Sequence, residues 1–187
     1  MKKNLVVLLI AITCLAVAPS TTSAKDTNPM VGGAAMYRSK DIVDNAVNSA
    51  DHTTLVAAVK AAGLVPTLKG KGPFTVFAPT NEAFSKLPAG TVDTLLKPES
   101  KDMLSKVLTY HVVAGKYDAK KLMQLIKKGD GSATLKTVSG GMLTARMNGM
   151  NGISITDEKG GSSNVTIADV YQSNGVIHVV DTVLMPN

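Results

Sequence analysis

One stretch, Gly72–Pro88 (GPFTVFAPTNEAFSKLP), limits the folds open to this chain more than any other, because two element types meet in it at a marked corner. Phe74–Phe77 is a run of aromatic and β-branched residues, the composition a pleated, half-buried strand favours. Pro79 has no N–H to give a sheet ladder, so the strand is expected to stop near Ala78. Thr80 follows as a helix N-cap. Glu82 falls in the first turn, where the helix dipole favours an anion. Ala83, Phe84 and Leu87 form the inward stripe of that helix. The chain has three phenylalanines and no tryptophan, and all three lie here. They are expected to seed one core.

Helical patterns surround this corner. Ser39 is expected to cap a helix with Ile42, Val43, Ala46 and Val47 on one face, and Asp51 a second with Leu55, Val56, Val59 and Ala62 inward. Gly63 ends that helix, and Leu64–Leu68 makes a further turn. After the corner come a short helix at Thr91–Leu96 and a longer one opened by Pro98. Its Met103, Leu104, Val107, Leu108 and His111 recur at helical spacing. Asp118 caps a last helix that ends in Lys127, Lys128 and Gly129, cations and a glycine where a helix C-terminus wants them. From Ala133 the period becomes that of strands. Thr134–Val138 and Met142–Met147 flank a Ser-Gly-Gly turn, and Ile153–Thr156 and Asn164–Val170 flank a second glycine-rich one. Val176–Val180 is apolar on both faces and is expected to be an interior strand. Helices first and strands second make an α+β domain.

Gly72–Pro88 resembles the N-terminal signature of the fasciclin domain. Ser173–Pro186 (SNGVIHVVDTVLMP) resembles that family's second signature, and Tyr110-His111 falls between them like its Tyr-His motif. The matches occur in the family's order and span roughly Ser39 to Pro186. The resemblance implies a fasciclin-like fold: a wedge-shaped β core with helices packed on it, the last strand returning beside the Phe74 strand. It also implies an adhesion or surface-interaction module, and it associates Tyr110 and His111 with adhesion in animal members.

Residues 1–24 have the pattern of a secretory signal peptide: Lys2 and Lys3, an apolar Leu5–Ala18, and small residues at Thr22–Ala24. Cleavage near Ala24 is expected to remove Cys14, the one cysteine, and to deliver a secreted protein, extracellular or periplasmic. Of the 20 basic residues two go with the signal and of the 14 acidic ones none, so the charge falls from +6 to +4. Residues 25–38 are expected as a loose leader and 39–187 as the fasciclin-like domain, with no transmembrane segment in the mature chain.

Catalytic patterns are missing. His52, His111 and His178 show no metal-ligand spacing, and neither HExxH, paired cysteines nor a GxSxG elbow is present. The chain reads as a non-enzyme without cofactor or metal. His178, inside a strand, reads as structural, and Tyr110-His111 as a fastening for a helix-to-strand corner. Lys116, Lys120, Lys121, Lys127 and Lys128 concentrate around one helix. Two readings stay open for them, a solvated face or a patch for an anionic glycan or lipid headgroup. Nucleic acid is not an expected partner, since no stacking aromatics interleave with these cations. The possible interaction residues are therefore Tyr110, His111, Lys116, Lys120 and Lys121, and the partner a cell-surface or matrix protein or an anionic glycan. The alternative is an envelope carrier for a small apolar ligand or soft metal, with a cavity lined by Met142, Met147 and phenylalanine.

Overall fold

The computed structural model describes residues 28–150 and 152–187. The expected signal peptide, residues 1–24, lies outside them. The leader reading falls on residues 25–38, and part of that stretch is folded. β1 (Met30–Val31) and β2 (Ala34–Ala35) pair as a hairpin, and Val31 and Met36 are buried. Two-residue strands leave no period to read, whereas burying two large apolar side chains holds the segment down.

The helices follow with two shifted caps. A turn closed by Lys40 N–H donating to Tyr37 O at 3.1 Å takes up Ser39, so Asp41 caps α1 (Ile42–Ala46) in its place. The Asp41 carboxylate accepts the Asp44 N–H at 2.8 Å, and Val47, expected inward, is exposed. Asp51 lies within a 3-10 turn, Ala50–His52, ahead of α2 (Thr53–Ala62). That helix ends at Gly63, left-handed at φ 72°, and α3 (Val65–Leu68) follows. The corner is as read: β3 (Phe74–Pro79) passes into α4 (Asn81–Ser85), and the Thr80 hydroxyl accepts the Ala83 N–H at 3.2 Å. Next come α5 (Thr91–Leu95), a 3-10 turn at Pro98–Ser100 and α6 (Lys101–Tyr110). Met103, expected inward on α6, is exposed.

The remaining strands are β4 (Val112–Ala114), β5 (Ser132–Lys136), β6 (Met142–Asn148), β7 (Gly152–Thr156), β8 (Ser162–Gln172) and β9 (Gly175–Val180), with α7 (Ala119–Lys128) between β4 and β5. They join β3 in one sheet of order β4-β3-β9-β8-β7-β6-β5. β9 runs parallel to β3 in its interior, and a bridge from Val113 to Thr137 brings the two sheet edges together, so the sheet is nearly a closed barrel.

The alternation of β3 and β9 separates two cores. Val76, Ala78, Ile177 and Val179 face the core under α1, α2, α4, α5 and α6, which also takes Phe84 and, half-buried, Phe74. Phe77 and Val180 face a second core inside the curled sheet, with Leu122 and Ile126 of α7, Leu143 and Ile155. The three phenylalanines thus serve two cores instead of the single one expected. A strand covered on both sides must send successive side chains apart.

Candidate interaction surface

β8 ends beside two loops, and that meeting builds the most distinctive polar face of the molecule. The β8–β9 pairing shifts register between Ile167 and Val170, and at that bulge Asp169 takes a left-handed backbone, φ 60°. The Asp169 carboxylate accepts the Ala119 N–H at 2.7 Å, which ties the start of α7 to the sheet. From β9, His178 binds the same loop, its Nε2–H donating to Tyr117 O at 2.8 Å while its ring stacks on Phe77. Burial holds the His178 imidazole below its ordinary pKa, so it works as a neutral strut. On the other side, Ser173 N–H donates to Lys40 O at 2.9 Å and Asn45 bonds both the Tyr37 backbone and Gln172.

These ties place Tyr37–Lys40, Lys116–Lys121 and Asp169–Ser173 side by side. Arg38 Cζ stands 4.8 Å and Lys116 Nζ 4.7 Å from the Tyr171 ring centre. Lys121 Nζ lies 4.5 Å from the Tyr117 ring and Lys40 Nζ 5.0 Å from that of Tyr37. Such contacts are worth about 0.5–1 kcal/mol at exposed sites, enough to bias where a long side chain points. Burial, then the Asp169 and Asp118 carboxylates, push the Tyr171 hydroxyl above its ordinary pKa. Lys120 is exposed on the first turn of α7 beside them. Among the described residues the salt bridges are those of Lys69 with Asp41 and Asp44, and none involves Arg38, Lys40, Lys116, Lys120 or Lys121. The face offers N–H donors and net positive charge around three rings, a chemistry that suits sulfate or carboxylate groups.

Lys116, Lys120 and Lys121 therefore come together, while Lys127 and Lys128 sit at the far end of α7, about 10 Å away at 1.5 Å per residue. Tyr110 and His111 are elsewhere and buried. The Tyr110 hydroxyl donates to Met142 O at 2.8 Å and accepts the Glu158 N–H at 3.1 Å. His111 Nδ1–H donates to Val107 O at 2.8 Å, and Nε2 accepts the Leu184 N–H at 3.0 Å. Both side chains fasten the interior, as their corner position suggested, and neither is displayed for a partner. Met142 and Met147 are five residues apart on β6 and point to opposite faces, and Met150 is exposed. Among the described residues no three His, Cys, Asp or Glu side chains converge as metal ligands. Sequence reasoning missed Arg38, Lys40 and the three tyrosines. Nothing local marks them, because 37–40 and 169–173 meet only through the sheet.

Comparison with known proteins gives one answer at three levels. A family model described as the Fasciclin domain matches residues 50–186. Protein sll1483 of Synechocystis sp. is 42% identical over 170 residues, covering 91% of this chain and 87% of that protein. The cell surface glycolipoprotein MPB83 of Mycobacterium bovis is 35% identical over 165 residues, covering 85% and 67% respectively. The FAS1 domain pair of the insect cell adhesion molecule Fasciclin I superposes with a TM-score of 0.68 at 21% identity, over 78% of this chain. The chain spans 51% of that structure, about half its length.

Proposed function

The chain belongs to the fasciclin domain family, and on that premise we propose that it is a secreted, non-enzymatic interaction module whose tyrosine–cation face binds an anionic glycan at a cell surface or in a matrix. One observation carries the reading: four cations from two separate segments, Arg38, Lys40, Lys116 and Lys121, lie against three tyrosine rings, and among the described residues none of the four forms a salt bridge. The structural relative is an adhesion molecule and the mycobacterial one a cell-surface protein, which supports the setting.

Heparin retention tests the site. Charge reversal of Lys116 and Lys121 is expected to move elution to much lower salt, because exposed charges are screened over about 10 Å at 0.1 M. The same reversal at Lys127 and Lys128 removes equal charge from outside the face and is expected to move elution far less. Equal shifts for the two pairs would reduce binding to net charge and remove the site.

Export has its own test. The Lys2–Ala24 pattern places the mature N-terminus at about Lys25. Mass spectrometry of the protein recovered outside the cytoplasm is expected to begin there, and an intact Met1 would contradict secretion by cleavage.

A further inference from the structure

The first core is incompletely filled. Between the helices α1–α3 and the strands β3 and β4 lies a cavity of about 60 Å³, walled by Ile42, Leu55, Val59, Leu68, Val76 and Ile177. That is roughly four times the ~15 Å³ one water-sized group needs. Domain interiors are otherwise packed like organic crystals, and a void in the main core costs stability.

The walls offer water almost nothing. His111 borders the cavity, but both its ring nitrogens are already bonded, to Val107 O and Leu184 N–H. Thr109, also on the border, donates its hydroxyl to Ser105 O at 2.6 Å. A cavity with apolar walls and satisfied polar neighbours stays dry and accepts hydrocarbon. It is also open to the surface. Val56, Leu64 and Val65 are half-buried where they line it and Lys60 is exposed, which gives it a mouth on this side.

We propose that this cavity is a binding site for the alkyl end of a hydrocarbon-chain ligand, whose terminal carbons fill the void while the rest of the chain leaves past Val56 and Lys60. The interior admits only a few carbon atoms, so a compact bulky ligand does not fit, whereas a chain end does. Lys60 at the mouth lets the free end of the ligand carry a negative charge without requiring it. The site is separate from the tyrosine–cation face and does not depend on what that face binds.

The test uses cis-parinaric acid, a fluorescent polyene acid, with n-decanol as an uncharged competitor. Wild-type protein is expected to enhance the probe fluorescence, and n-decanol to reverse it by occupying the same cavity. Val56→Trp, which blocks the mouth at a half-buried position, is expected to weaken probe binding at least tenfold. Met103→Trp, exposed on α6 and away from the cavity, is expected to leave it unchanged. Lys60→Gln separates the two sources of the ligand: weaker parinarate but equal decanol binding identifies a fatty acid, and no change in either a neutral chain. Should Val56→Trp fail to fold, methyl NMR of the wild type decides, with decanol expected to shift the Ile42 and Ile177 signals. Equal probe binding by the two tryptophan variants, or decanol titration that leaves those methyl signals in place, overturns the proposal.

Discussion

Replacing His111 with alanine is expected to destabilise the fold by about 3–5 kcal/mol, read as a lower urea midpoint with an unchanged slope. The ring is buried and uses both nitrogens to bind backbone, the end of α6 through Val107 O and the C-terminal segment through Leu184 N–H. Removing it leaves a buried acceptor and a buried donor without partners, each costing about 1–3 kcal/mol, and enlarges a void at the border of the first core. Burial also pushes the imidazole down to about 4, with Val107 and Asp157 opposing that fall. The folded protein therefore keeps His111 neutral in a range where the unfolded chain protonates it. Its contribution is fully present above about pH 6.5 and is lost as pH falls through the window from 6.5 to about 4, an amount on the order of 3 kcal/mol. Burial lowers His52 and His178 as well, which adds loss in the same direction. Thermal unfolding is expected to be flat from pH 7 to 8 and to drop steeply between pH 6 and 4. The drop is expected to be smaller in His111→Ala. A wild-type melting temperature constant down to pH 4.5 would show that His111 is not held neutral.

Asn174→Asp, a change of one atom, is expected to cost about 3 kcal/mol. Asn174 is buried at the turn before β9, and its amide joins three segments distant in sequence. Nδ2 donates to Leu68 O at 2.8 Å and to Gly70 O at 3.0 Å, and Oδ1 accepts the Ile42 N–H at 3.1 Å. Its own carbonyl accepts the Phe74 N–H at 3.0 Å, at the start of the parallel β3–β9 pair. A carboxylate keeps the shape and the bond from Ile42 but has no donor for two carbonyls, and it sets negative charge against them. Chemical denaturation measures the loss. The melting temperature is expected to fall by well over 5 °C, and an unchanged value would mean that the amide fastens nothing.

The corner at Gly72–Pro88 was legible because every determinant of it is local. Pro79 lacks a donor, Thr80 reaches the N–H three residues on, and the strand before them is made of residues that favour a pleat. The same holds for the Asp118 cap of α7, whose carboxylate accepts the Lys121 N–H at 2.8 Å, and for the two-faced apolarity of β9. Where local signals mislead, either a competing local turn or the direction of tertiary packing overrules them. Ser39 is an adequate cap, but the turn from Tyr37 to Lys40 claimed it. Met103 has the spacing of the inward stripe of α6, yet it falls outside the strip that faces α2 and the sheet.

Local chemistry along the chain, caps, turns and hydrophobic period, determined the longer helices and strands, their order, the α+β class and the interior place of β9, because each rests on residues within a few positions of one another. The tertiary structure decided what lies between elements. The parallel β3–β9 pairing and the curl of the sheet sent Phe77 and Phe84 into different cores, and brought Arg38, Lys116 and Tyr171 to one face across more than 130 positions of sequence. They also left the first core short of side-chain volume at the seam where α1–α3 meet β3 and β4. No period or spacing encodes these, since adjacency across a sheet depends on register and void volume on the sum of many side chains.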